Sequence, residues 1–173
     1  MISGPIKNMI YSKKIRSALN NGYSFLNGNS GKVGLIIDAA NAEDLKGKRN
    51  LQELYKLMGI KKESLRIVVC EASVENLKDM DVDILNKKDV SVSGNFKSET
   101  IQAFSQKNFD FLICHFSKKC NVGSLLAAVT SASVKIGNAP DEYGIYNVEV
   151  QTSEIGVFQQ EVLKYIEIFK RNN

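Results

Sequence analysis

Several residue types are scarce in this chain, and their scarcity excludes whole classes of site. The 173 residues include one histidine and three cysteines. Cys70, Cys114 and Cys120 are dispersed and lack the spacing of metal ligands. Their odd number, with two of them in strand-like segments, favours buried, reduced thiols over disulfides. We therefore expect no structural or catalytic metal site.

Long apolar runs are also missing. The first 19 residues carry polar or charged side chains every few positions, so they do not form the apolar centre of a secretory signal. No segment approaches the length of a membrane span. The net charge is +4, and the basic residues are mixed with acidic ones rather than gathered in a stripe. These features predict a cytoplasmic protein without a membrane span and argue against nucleic-acid binding.

The sequence supports neither of two common phosphate-binding motifs. Residues 28–32 (Gly-Asn-Ser-Gly-Lys) have the composition of a phosphate loop. Such a loop follows a strand and opens a helix, whereas this segment precedes a strand-like run. No Gly-x-Gly-x-x-Gly sequence follows Ile37 either, which removes the main support for dinucleotide binding. The sequence therefore assigns no cofactor.

The composition that remains is that of an ordinary globular chain, with 43% hydrophobic and 24% charged residues. We expect residues 1–32 to form an amphipathic N-terminal helix and a linker, and residues 33–173 to form a single α/β domain. The apolar positions of residues 6–19 can pack against the domain or dock on a protein, RNA or membrane surface. Packing against the domain is the favoured alternative.

Residues 109–137 contain the clearest pattern. Residues 109–113 (Phe-Asp-Phe-Leu-Ile) are typical of a strand covered on both faces. Apolar side chains at positions 122, 125, 126 and 129 then lie on one helical stripe, and residues 134–136 return as a second strand that stops at Gly137. Two strands joined by a helical crossover form a parallel unit.

Strands and helices alternate from Val33 onward, which predicts an α/β fold. We expect a single open, mostly parallel twisted sheet with helices on both faces, in a Rossmann-like three-layer arrangement. The oligomeric state is left unassigned. The other expected strands are residues 33–37, 65–70, 82–85 and 145–150, and the other expected helices are residues 45–58, 98–105 and 155–169.

Ligands of open α/β sheets bind outside the carboxyl ends of the strands. Polar residues follow the strands that end near Ile37 and Ile113, and a helix start after Lys119 would favour an anion through its backbone amides. The sequence therefore predicts an anion site at this edge. Its candidate binding residues are Asp38, Asn41, His115, Ser117, Lys118, Lys119, Asn121, Gly123 and Ser124.

Structural alternatives accompany these candidates. Asp38 is expected to cap the chain that enters the next segment, because short polar side chains are common at such turns. Asn121 can act only as a helix cap, with the neighbouring lysines solvated. Cys114 and His115 are adjacent in a strand, so their side chains point to opposite faces and cannot act together as nucleophile and base.

Three segments carry a resemblance to a known family. Residues 109–113, 125–128 (Leu-Leu-Ala-Ala) and 132–137 (Ala-Ser-Val-Lys-Ile-Gly) resemble an uncharacterised bacterial domain-of-unknown-function family of the Bacteroidetes type. Cys114 stands where that family has asparagine, and Ser133 stands where it has lysine. The resemblance implies a fold and carries over no site. About thirty residues are also similar to the amino-terminal half of heptosyltransferase-like glycosyltransferases.

Two functions remain open at this point. One is a non-catalytic binding or interaction module whose partner is another protein or a small anionic ligand, since no catalytic triad, metal set or cofactor loop is recognised. The alternative is a glycosyltransferase-like enzyme, or half of one, that acts on a phosphorylated or nucleotide-linked substrate at the same edge. A deep pocket that contains Asp38, His115 and the start of the helix at Asn121 would favour the enzyme.

Overall fold

The computed structural model describes residues 4–21, 31–47 and 50–171. In this part of the chain, six parallel strands form one sheet in the order β3-β2-β1-β4-β5-β6. An antiparallel bridge joins Val90 to Phe96 outside the strands. The strands are β1 Val33–Asp38, β2 Leu65–Cys70, β3 Asp83–Leu85, β4 Asn108–His115, β5 Ser131–Asn138 and β6 Val148–Val150.

Helices cover both faces of this sheet, and two single turns of 3₁₀ helix lie at Lys62–Ser64 and Lys87–Asp89. None of the helices in the described ranges has the length and apolar character needed to cross a membrane. The helices are α1 Gly4–Asn20, α2 Ala39–Gly47, α3 Asn50–Leu57, α4 Val74–Leu77, α5 Glu99–Ser105, α6 Asn121–Val129 and α7 Ile155–Arg171.

The core has two halves, one on each face of the sheet. Every residue of β1 is buried, and its side chains alternate between the halves: Ile36 belongs to one, and Leu35 and Ile37 belong to the other. The first half includes residues of α1, α5 and α6, and the second includes residues of α2, α3, α4 and α7. Continuous apolar runs are required in strands that are covered on both sides. The predicted three-layer α/β fold is confirmed, and every strand pairing is parallel.

Helix α1 packs against α6 through Tyr11 and Ile15, which are 2% and 0% exposed. Ile6 and Met9, at its other side, are largely exposed. Helix α1 therefore packs against the domain, but the buried contact is made by Tyr11 and Ile15, and the Ile6 and Met9 positions of the expected apolar stripe lie outside it. The predicted linker and the glycine-rich segment that resembles a phosphate loop fall largely on residues 22–30, which lie outside the described residues.

Two element boundaries differ from expectation. The single helix expected over residues 45–58 is two helices, α2 and α3, and the last strand begins at Val148 rather than at residue 145. The Asp141 carboxylate accepts hydrogen bonds from the amides of Tyr143 and Tyr146, which holds this segment as a loop. Ile145 is therefore buried in the core without being part of a strand.

Candidate functional site

A cleft lies where the strand order reverses. Strands β1 and β4 are neighbours, and the chain continues from β1 toward one edge of the sheet and from β4 toward the other. In sheets of this kind, ligands bind outside the carboxyl ends of the strands at the reversal. The cleft at this position has a volume of about 320 Å³. Five of the candidate residues line it: Asp38, Ser117, Lys118, Lys119 and Asn121.

Asp38 joins the loops that follow the two central strands. One carboxylate oxygen accepts hydrogen bonds from the Asn41 amide at 3.1 Å and from the Asn41 side chain at 2.7 Å. The other oxygen accepts from the Ser117 amide at 2.7 Å and from the Ser117 hydroxyl. Since Asn41 is the third residue of α2, Asp38 is the N-cap of that helix, as expected. Its carboxylate already supplies the negative charge that this helix start favours.

Asn41 extends the same network to β4. It is 5% exposed, and its side-chain nitrogen also donates to the carbonyl oxygen of His115 at 3.1 Å. Asp38, Asn41 and Ser117 are therefore brought together, as the sequence suggested, and they satisfy one another. The network holds the two loops of the cleft in fixed positions.

His115 lies beneath the cleft and is not among the residues that line it. The ring is 0% exposed and packs against Phe158, with 4.6 Å between ring centroids. Neither ring nitrogen has a hydrogen-bond partner within the described ranges. Burial lowers the pKa of His115 to about 4, although the nearby Asp38 charge opposes the shift. The imidazole is therefore neutral at pH 7. Cys114 belongs to the core half on the opposite face, as strand alternation predicts.

Helix α6 begins beside the cleft, and its first residues differ from expectation. The N-cap position is Cys120, and Asn121 is the first helical residue rather than the cap. The Asn121 side chain instead donates to Asn8 of α1 at 2.9 Å. The amides of Asn121 and Val122 have no carbonyl acceptor within the helix, because they belong to its first turn. They provide the partial positive charge of the α6 start.

Gly123 and Ser124 contribute to this helix start in different ways. A Cβ atom at Gly123 would lie 2.5 Å from the Phe116 ring, so glycine permits the close packing of that ring. Ser124 lines a second, smaller cavity of about 140 Å³ between the loops that follow β4 and β5. Lys119 lines both cavities.

Some charged residues of the cleft have ion-pair partners and others do not. Lys119 forms an ion pair with Glu142 at 2.6 Å, and this hydrogen bond raises the pKa of Lys119. Glu71, on the opposite wall, accepts from the Lys87 amide at 3.1 Å and lies 3.7 Å from the Lys87 amine. Lys118 is exposed and has no hydrogen-bond or ion-pair partner in the part of the chain that the structure describes. The positive charge of Lys118 would therefore be free to interact with a ligand in the cleft.

Comparison with known proteins identifies a family. The sequence model of DUF6913, described as a family of unknown function, matches residues 7–169. The chain belongs to this DUF6913 family. No curated protein and no solved structure matches it. Membership confirms the expected relation to a domain of unknown function, whereas the bacterial origin and the glycosyltransferase similarity stay predictions.

The cleft of this DUF6913 chain contains some, but not all, of the residues that the enzyme hypothesis places there. It contains Asp38 and the start of α6, but both oxygens of Asp38 are engaged and His115 is buried beneath it. Within the described ranges, no group of three or more His, Cys, Asp or Glu side chains could hold a metal ion. The two acid and base candidates of the site, Asp38 and His115, are thus held by contacts within the fold.

Sequence reasoning missed two thiols at this edge of the DUF6913 fold. Cys70 ends β2, Cys120 occupies the N-cap position of α6 beside the cleft, and both belong to the core half that contains α6. They are far apart in the sequence, so spacing gave no signal. The parallel register of β1 and β2 is the feature that places Cys70 beside Asp38 at this edge.

His115 should make the DUF6913 domain sensitive to mild acid. Its folded pKa, about 4, is below its unfolded value, so the unfolded chain binds more protons between about pH 6.5 and pH 4. Stability is therefore lost as the pH falls through this window. We expect His115→Leu to reduce the loss between pH 7 and pH 5 by about 1 to 2 kcal/mol, as measured by urea unfolding. Equal losses in the two proteins would contradict the burial of a neutral imidazole.

Proposed function

We propose that this protein is a binding module for a small anionic ligand, which occupies the cleft at the carboxyl ends of β1 and β4. The observation that carries the proposal is the unneutralised charge of Lys118 beside the start of α6. The cleft volume of about 320 Å³ is at the lower end of ligand pockets. A single phosphate or carboxylate carried by a small metabolite is the ligand class that suits it.

The position of the ligand follows from the two helix starts at the cleft. The start of α2 is satisfied by Asp38, whose carboxylate would repel a second anion there. The start of α6 lacks an acidic side chain in its first turn. We therefore place the anion against the Asn121 and Val122 amides, with the Lys118 amine as the second contact. A dinucleotide is excluded from this proposal because the β1–α2 turn lacks the glycines that let a pyrophosphate approach.

Binding without turnover is the favoured form of this proposal. A general acid or base must reach the substrate, and His115 is fully buried while Asp38 is engaged by Asn41 and Ser117. We also propose a cytoplasmic location, because the three cysteines are free and buried. The glycosyltransferase-like alternative stays a prediction, and turnover of a phosphorylated or nucleotide-linked substrate that Asp38→Asn abolishes would support it.

A charge-matched pair of variants tests the anion site. We expect inorganic phosphate and a panel of small phosphorylated metabolites to raise the melting temperature of the wild-type protein, since a ligand that binds only the folded state stabilises it. Lys118→Ala should raise the dissociation constant about threefold to tenfold, because one charge-assisted contact with the anion is lost. Lys61→Ala, at an exposed position remote from the cleft lining, changes the net charge equally and should bind as the wild type does.

Two results would contradict the proposed anion site. Equal dissociation constants for Lys118→Ala and Lys61→Ala would show that the anions respond only to net charge. Absence of any shift in the wild-type protein across the panel would also remove the proposal. Titrations at two salt concentrations give a second readout, because a specific site retains the difference between the variants at the higher salt.

A further inference from the structure

The smaller cavity, between the loops that follow β4 and β5, is lined by three aromatic residues. Phe116, Tyr143 and Tyr146 are partly buried and pack against the core half that contains α6. We call this space the aromatic cavity, and its volume is about 140 Å³. An apolar protein cavity of about 150 Å³ accommodates a molecule of benzene. The aromatic cavity is therefore large enough for a single aromatic ring.

Hydrogen bonds within the fold hold the walls of the aromatic cavity in place. The Asn138 side chain donates to the Phe116 carbonyl oxygen and accepts from the Phe116 amide, each at 2.9 Å, which joins the two loops. The Tyr143 hydroxyl is hydrogen-bonded to the Ser12 hydroxyl of α1 at 3.0 Å. The cavity is thus formed before a ligand arrives, as small-molecule sites commonly are.

The charged side chains of the lining favour an uncharged ligand. Two lysines and two carboxylates line the aromatic cavity, so their charges cancel. Lys119 and Glu142 pair with each other at 2.6 Å, and Asp141 accepts hydrogen bonds from two amides of its own loop. The remaining charge, that of Lys118, is shared with the cleft. An ionised ring would lose its hydration on entering such a space, whereas an uncharged ring loses little.

One polar group of the wall is left for a ligand. Ser124 lies on α6 and lines the aromatic cavity. Its amide donates to the Cys120 carbonyl oxygen at 2.9 Å, whereas its hydroxyl has no hydrogen-bond partner within residues 4–21, 31–47 and 50–171. A serine hydroxyl can donate one hydrogen bond and accept two. It can therefore orient a ring that carries a polar substituent.

We propose that the aromatic cavity binds an uncharged molecule with a single aromatic ring, and that a hydroxyl substituent on this ring hydrogen-bonds to Ser124. Phenols are the ligand class that combines the two features. Contacts between the bound ring and Phe116, Tyr143 and Tyr146 add to the effect of apolar burial alone. This inference goes beyond the anion site and does not depend on it, because the ligand carries no phosphate or carboxylate.

A titration of the full chain with phenol tests the site directly. The amide signals in the nuclear magnetic resonance spectrum of isotope-labelled protein show where the ligand lies and give its dissociation constant. We expect a saturable response centred on residues 116–124 and 138–146, with a dissociation constant of about 1 mM or below. Cyclohexanol has the same hydroxyl and a ring of the same size that is not aromatic, so it should bind about threefold to tenfold more weakly.

A pair of serine variants tests the hydrogen bond. Ser124→Ala removes the hydroxyl and should raise the dissociation constant of phenol about fivefold, which is the usual contribution of a neutral hydrogen bond. It should leave the dissociation constant of benzene unchanged, because benzene cannot form this bond. Ser17→Ala makes the same change at an exposed position of α1 outside the cavity lining, and it should bind both probes as the wild type does.

Three results would overturn the inference. A folded wild-type protein that shows no saturable response up to about 10 mM phenol, or a response centred away from the two loops, would remove the site. Equal affinities for phenol and cyclohexanol would contradict the preference for an aromatic ring. Equal phenol affinities of Ser124→Ala and Ser17→Ala would remove the hydrogen bond. Phosphate is absent from all these titrations, so the aromatic cavity and the anion site succeed or fail separately.

Discussion

Replacement of Asp38 by alanine should lower the free energy of unfolding by about 3 kcal/mol. The reason is the network that its carboxylate completes: the substitution removes the cap of α2 and leaves the buried amide of Asn41 and the partly buried amide of Ser117 without an acceptor. A lost helix cap alone costs about 1 kcal/mol, and an unsatisfied buried donor costs about as much again or more. Urea unfolding at pH 7 measures the difference.

Two further variants make this result specific. Asp44→Ala removes the same charge from an exposed position on α2 and should change stability by less than about 0.5 kcal/mol. Asp38→Asn retains one acceptor oxygen, so it should lose less than Asp38→Ala. Equal stability of Asp38→Ala and Asp44→Ala would mean that the network does not hold the two loops together.

Replacement of Ile15 by alanine should destabilise the domain by about 3 kcal/mol. Ile15 is 0% exposed between α1 and α6, and its truncation leaves a cavity in the core half that contains both helices. A docking arm would behave differently, since its apolar residues would be covered only by the partner. The midpoint of urea unfolding therefore tests whether α1 is an integral part of the fold.

The same helix supplies the control. Ile6 is 47% exposed, so Ile6→Ala makes the same chemical change where little area is buried. We expect it to alter stability by less than about 1 kcal/mol. If Ile15→Ala unfolds at the same urea concentration as Ile6→Ala, then α1 contributes nothing to the core, and a docking role would be the better interpretation.

The fold could be predicted from the sequence because its strongest signals are local. The apolar run of β4 and the apolar stripe of α6 each lie within ten residues, and the spacing of the apolar residues in each fits only one type of secondary structure. The division into α2 and α3 and the late start of β6 were not predicted. The second depends on the Asp141 carboxylate, which binds amides of the loop and removes them from pairing.

The position of the candidate site, at the edge formed by the carboxyl ends of the strands, could be predicted from the sequence. Strand ends place Asp38 and Ser117 together in any parallel sheet of this order, and the capping role of Asp38 follows from its residue type. The full burial of His115 was not predictable, because it depends on Phe158 from a helix far along the chain. The same reason explains why Cys120 was not predicted at the cleft: only the tertiary fold brings the start of α6 beside the ends of β1 and β2.

The two outermost strands have a consequence for association between chains. Strands β3 and β6 are each three residues long, whereas β4 and β5 are eight. An outer strand offers its free amides and carbonyls to any extended peptide, and three residues present only one or two such pairs of groups. The sheet is thereby protected from growth by strand addition, so crowding of this protein should not lead readily to ordered aggregates built on its native sheet.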